Sequence, residues 1–181
     1  MTDMLKNCQL CPRACGADRT KSRGACGAGI EIEAARASLH MWEEPPISGT
    51  NGSGTVFFSH CSLGCVFCQT RKISRREAEG QNIMADALAK TFLSLEKKGA
   101  HNINLVTGAH YVPQIIEALQ IARKQGLSLP VVYNSSGYEQ VETLQLLDGH
   151  IDIYLPDYKY YSSYYAGLYS HAEDYREFAV P

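Results

Sequence analysis

The sequence predicts an α/β fold built on a parallel sheet. Short apolar runs of strand length alternate with longer stretches whose apolar residues recur at helical spacing, and this pairing repeats four times after residue 51. Such alternation implies right-handed crossovers, because a parallel neighbour is reached only by passing back over one face of the sheet.

The elements follow in order. Upstream of the repeats, residues 30–39 read as one strand in a segment too small to bury a core without docking or a metal. A shift to prolines, glycines and small polar residues at EEPPISGTNGS, residues 43–53, marks a connection. It divides the chain into a Cys-rich N-terminal extension, residues 1–50, and a core, residues 51–181.

In the core, residues 55–59 form the first strand, and Met84, Ala87, Leu88, Thr91, Phe92 and Leu95 the first helical stripe. Residues 102–107 (NINLVT) are the second strand. Val112, Ile115, Ile116, Leu119 and Ala122 make the next stripe, with Pro113 suited to a first turn. Residues 130–134 (PVVYN), a helix over 139–147, residues 151–155 (IDIYL) and a tyrosine-rich segment with a last helical piece complete four units. A closed eight-unit barrel takes about 250 residues. Four units therefore make a partial (β/α) barrel, and the ending EFAVP reads as a C-terminal truncation; an open sheet covered by its own helices or by a second chain is the alternative.

Composition narrows the function. Hydrophobic residues at 45% and charged ones at 20% suit a globular domain, and a net charge of -2 with a pI near 6.3 argues against nucleic acid as a partner. No apolar stretch has the length of a signal sequence or a membrane span, so a cytoplasmic location with no membrane association is expected. In a reducing cytosol, cysteines serve metals or thiol chemistry more often than disulfides. The seven cysteines divide into Cys8, Cys11, Cys15 and Cys26, and Cys61, Cys65 and Cys68.

The second group forms C-x3-C-x2-C, beginning where the first core strand ends. Functional groups of parallel α/β folds collect at the carboxyl ends of strands. Iron–sulfur clusters are usually held by four thiolates, so three thiolates leave one iron needing an outside ligand. A zinc loop is the plainer alternative, but His60 lies too close to Cys61 to serve as an obvious fourth ligand. Inert buried cysteines are the remaining one.

At C-x3-C-x2-C, with the aromatic Phe67 before the last cysteine, the chain resembles the radical S-adenosylmethionine superfamily. The resemblance implies a [4Fe-4S] cluster on Cys61, Cys65 and Cys68 whose open iron is chelated by the amino and carboxylate groups of S-adenosylmethionine. Thr107, Gly108 and Ala109 stand where the superfamily carries a glycine-rich motif against the cofactor. Asn134, Ser135, Asp157 and Lys159, at the ends of the third and fourth core strands, match cofactor-binding positions of glycyl-radical-enzyme activases. The cysteine-rich leader NCQLCPRACG extends the similarity to proteins grouped as pyruvate formate-lyase activating enzymes, over nearly the whole chain. Departures are Thr70 where the family commonly has asparagine, and Thr107-Gly108-Ala109-His110 where it has Thr-Pro-Thr-His.

The implied activity is reductive cleavage of S-adenosylmethionine to a 5'-deoxyadenosyl radical that abstracts hydrogen from a protein or small-molecule substrate, glycyl radical enzyme activation being one form. A flavodoxin- or ferredoxin-type reductant is the implied partner. The alternative is a non-enzymatic iron–sulfur or zinc-binding protein with an electron-transfer or structural role.

Cys8, Cys11, Cys15 and Cys26 form a four-thiol set suited to structural zinc or a closed auxiliary iron–sulfur cluster, with Arg13, Arg19 and Arg23 either steadying thiolate charge or lying as ordinary surface residues. The tyrosines between 154 and 169 line a substrate mouth, contact a partner or simply pack. His110 is expected at the rim, and His101, His150 and His171 on the surface.

Overall fold

The computed structural model describes residues 3–78 and 80–180. A short helix α1 (Asp3–Lys6) opens the leader, which runs into β1 (Ile32–His40), α2 (Pro45–Ser48) and β2 (Ser53–Phe58). The cysteine loop then leads through α3 (Arg71–Ser74) and β3 (Gln81–Ile83) to α4 (Ala85–Lys97). Two further units follow as β4 (Ile103–Val106) with α5 (Val112–Lys124), and β5 (Val131–Ser135) with α6 (Val141–Leu146). The strand β6 (Ile153–Pro156) precedes α7 (Ser163–Ser170) and α8 (Tyr175–Ala179).

The strands among the described residues form one open sheet in the order β3-β1-β2-β4-β5-β6. The alternating units appear as expected, with β2, β4, β5 and β6 parallel in chain order. Two features go beyond the sequence reading. β1 runs antiparallel to β2, because their connection carries only the single turn α2 and simply reverses direction, whereas a parallel return needs a longer crossover. β3, also antiparallel to β1, escapes periodicity because its three residues are exposed or half-buried and show no apolar alternation. Through β1, residues 1–50 contribute a strand to the same sheet as the core.

Helices α4 and α5 cover one face. Their apolar stripes put Leu88, Phe92, Ile115, Ala118 and Leu119 against Val56, Ile103, Leu105, Val131 and Tyr133, all buried. Both helices end on cations, Lys97 and Arg123 with Lys124, complementing the helix dipole. Pro113 occupies the first turn of α5, where its missing N–H costs nothing. Phe92 is fully buried, so Phe92→Ala is expected to lower unfolding free energy by about 3–5 kcal/mol, measured by urea denaturation.

Candidate functional site

Because β2, β4, β5 and β6 are parallel, their carboxyl ends share one edge of the sheet. Cys61, Cys65 and Cys68 follow β2, Thr107 follows β4, Asn134 and Ser135 end β5, and Asp157 and Lys159 follow β6. All of these residues, with Phe67, line one cavity of about 410 Å³. The expected Gly108 and Ala109 do not line it. Gly108 lies where an added methyl would meet Ile115 at 2.8 Å and Tyr133 at 3.3 Å, and Ala109 is buried in a short 3-10 turn. These two therefore pack the strand-to-helix turn.

The cysteine loop is held by donors to its carbonyls. Arg75 donates Nη1 to Gly64 O at 2.8 Å and Nη2 to Cys65 O at 2.9 Å. Arg13 donates Nε to Ser62 O at 3.0 Å and Nη2 to Leu63 O at 3.3 Å. The same guanidinium reaches Ser170 O at 2.5 Å and His171 O, tying the leader, the loop and the end of α7 together. Val66 N donates to Tyr169 O at 2.9 Å. Below the loop, Leu63 and Cys65 pack with Tyr138, Tyr160 and Tyr175 in a second small core.

Hydrogen bonds also converge on the sulfurs. Burial pushes the Cys61 thiol up to about 11, against hydrogen bonds from the Gly64 and Leu63 amides. Burial likewise raises Cys68, but Ser74 and Thr70 outweigh it and leave the thiol lowered. The Ser74 hydroxyl donates to Cys68 Sγ at 3.1 Å. The loop thus offers soft sulfur donors beside polar groups, which fits an iron–sulfur cluster by donor type. Among the described residues the side chains do not already stand as a ready metal cage, so ligation at this loop requires its sulfurs to draw closer together.

Opposite the cysteines, Lys159 Nζ lies 2.6 Å from Asp157 Oδ2 at a partly exposed rim. Asn134 Nδ2 donates to Glu43 Oε2 at 3.1 Å, bringing a carboxylate from the β1–β2 connection towards the same strand end. Beneath this rim the buried Tyr175 hydroxyl accepts from Lys159 N and lies 2.8 Å from the carbonyls of both Ser136 and Asp157, donating to one of them. It ties the β5 and β6 ends together.

His110 departs from its expected place at the rim. It is buried, its Nε2 donates to Ser59 O at 2.8 Å, and burial pushes its imidazole down to about 3, so it is neutral at ordinary pH. His60, just before Cys61, is also buried, with Nε2 3.0 Å from Glu33 Oε2 and Nδ1 3.2 Å from Arg75 O. Arg23 Nη1 donates to Glu33 Oε1 at 2.7 Å. Sequence reasoning missed Glu33, His60, Arg75 and Tyr175 as supports of the site. None lies in a motif, and their partners stand 10 or more residues away, as in Arg75 with Cys65.

Glu139 is a buried carboxyl behind Ser135, accepting from the Tyr133 hydroxyl at 3.3 Å. Burial pushes it up to about 8, and hydrogen bonds with Ser135 and Tyr133 act in the opposite direction. Its folded value lies above the ordinary 4.5, so between these values the folded chain holds a proton that the unfolded chain has released. Stability from this group therefore falls as pH rises through that window. Glu139→Gln is expected to flatten the slope, as read by urea midpoints at about pH 5 and about pH 8.

No known family and no solved structure matches the chain. It is similar to an uncharacterized protein of Methanocaldococcus jannaschii, 30% identical over 163 residues, which cover 87% of this chain and 47% of that protein. The chain thus spans about half the length of the curated relative it matches.

Proposed function

We propose that the chain is a radical S-adenosylmethionine protein of the glycyl-radical-enzyme activase type, with a partial (β/α) barrel as its core. The observation that carries this reading is one cavity bounded by the three thiols of C-x3-C-x2-C on one side and by Asn134, Ser135, Asp157 and Lys159 on the other. Cys61, Cys65 and Cys68 would hold the [4Fe-4S] cluster. When bound, the cluster and S-adenosylmethionine supply one-electron cleavage of a carbon–sulfur bond and hence a radical able to abstract hydrogen.

The protein's part is to bind, orient and exclude water. Arg75 and Arg13 fix the loop backbone, so the three thiols are presented from one side of the cavity. Phe67 stacks edge-on against Tyr160 and Tyr169, with centroids 5.8 and 6.2 Å apart, and walls the loop. Asn134 and Ser135 offer neutral hydrogen-bonding groups to a polar cofactor, while Asp157 and Lys159 offer opposite charges suited to amino and carboxylate groups. Electrons come from an external donor of flavodoxin or ferredoxin type, and the substrate is a protein or a small molecule.

Electron paramagnetic resonance of the reduced, anaerobically reconstituted chain tests the reading. Added S-adenosylmethionine is expected to change the cluster signal, because the cofactor joins an open iron. A spectrum indifferent to the cofactor points instead to an electron carrier or a structural metal protein.

A further inference from the structure

Arg19 is only 1% exposed, yet its hydrogen bonds go to neutral acceptors, the carbonyls of Gly29 and His110. No carboxylate pairs with it among the described residues. Burying a cation without a counter-charge costs several kcal/mol, so a negative centre should lie beside it. Its Nη1 stands 3.9 Å from Cys8 Sγ, and its charge also acts on Cys15 and Cys26.

The leader thiols are gathered around this cation. A methyl placed on Gly24 would touch Cys15 Sγ and Cys26 Sγ, each at 3.6 Å, so those two sulfurs flank one point. Cys11 lies close enough to feel Cys8, Cys15 and Cys26 electrostatically. Ala14 N donates to Cys11 O at 2.9 Å, while Gly16 N donates to Cys8 O and Cys8 N to Ala17 O, each at 3.0 Å, so residues 8–17 close one hydrogen-bonded loop that carries Cys8, Cys11 and Cys15. The leader thus brings two sulfurs to one point and a third beside a buried guanidinium that has no counter-charge among the described residues.

We propose that Cys8, Cys11, Cys15 and Cys26 bind one zinc ion as a closed tetrathiolate centre whose negative charge compensates Arg19. Each thiol releases its proton on ligation, and no oxidant or reductant is involved. The sulfurs do not already stand as a ready cage, so binding requires the four side chains to draw together. Zinc suits the place because the leader has little core of its own, only the cluster of Leu5, Cys8 and Leu10. The consequence reaches the cavity: Arg13 and Arg23, carried on the same leader, hold the carbonyls of Ser62 and Leu63 and the Glu33 carboxylate beside His60. The zinc would thus position the three-thiol loop. The proposal stands whatever Cys61, Cys65 and Cys68 bind.

The test uses the full chain with Cys61, Cys65 and Cys68 all changed to alanine, loaded with zinc without oxygen and freed of excess metal. About one zinc per chain is expected by mass spectrometry, falling at least about tenfold when Cys11→Ser and Cys26→Ser are added. Should that last variant fail to fold, cobalt(II) added to the three-alanine chain gives the second reading, with thiolate-to-cobalt charge transfer and tetrahedral bands expected. A folded three-alanine chain that retains no stoichiometric zinc and shows no cobalt bands overturns the proposal. So does one that takes iron and sulfide in preference to zinc when both are offered.

Discussion

Cys65→Ser is expected to leave a folded chain that cannot retain a four-iron cluster after reconstitution and gel filtration. Losing an outer partner of a metal ligand typically costs about 10–100-fold in metal affinity or activity, and loss of a ligand exceeds that. The substitution removes a soft thiolate and substitutes a harder oxygen, while preserving size. Cys65 is buried against Leu63, Tyr138, Tyr160 and Tyr175, so a near-isosteric replacement keeps that packing. Iron and acid-labile sulfide per chain check the result, with circular dichroism confirming the fold. Wild-type iron content in the variant would show that the loop is not the ligand set.

Arg13→Ala produces the second large effect, although Arg13 touches no expected cofactor. Its guanidinium donates to the carbonyls of Ser62, Leu63, Ser170 and His171, so alanine removes the bonds that tie the leader and α7 to the cysteine loop. It also removes a guanidinium 5.4 Å from the Tyr138 ring centroid. Partly buried charge-assisted bonds are worth about 1.5–3 kcal/mol each, and losses from one side chain are not additive. A fall of about 3–5 kcal/mol in stability is expected, read by denaturant unfolding, with faster proteolysis of the loop. Arg13→Lys should recover little, since a point charge cannot serve several carbonyls in one plane.

The parallel units were legible because α4 and α5 each bury a continuous apolar stripe, as Leu88, Phe92 and Leu95 do, and because β4 and β5 are short apolar runs. β3 was hidden, since exposed strand residues leave no periodic trace. The direction of β1 follows from the short connection at residues 43–53, but periodicity alone does not say which strand β1 pairs with. In the candidate site, the cysteines and the polar strand ends were visible because they are adjacent in sequence or fall at strand termini. Arg75, Glu33 and Tyr175 were not, because what they hold is backbone or side chain far along the chain. Arg19 was readable either as a support of thiolate charge or as an ordinary surface cation, and its burial sets aside the surface reading. His110 misled in the opposite direction: its place after β4 suggested the rim, whereas the turn at Gly108 folds it inward.

The central claim is that the three-thiol loop and the facing strand ends bind and cleave S-adenosylmethionine. The direct measurement is 5'-deoxyadenosine formed when the anaerobically reconstituted, reduced chain is given S-adenosylmethionine, quantified by chromatography with mass detection. The account predicts product that depends on reductant and disappears in Cys65→Ser. A fully loaded, reduced cluster that yields no 5'-deoxyadenosine, and whose resonance signal ignores the cofactor, would contradict it.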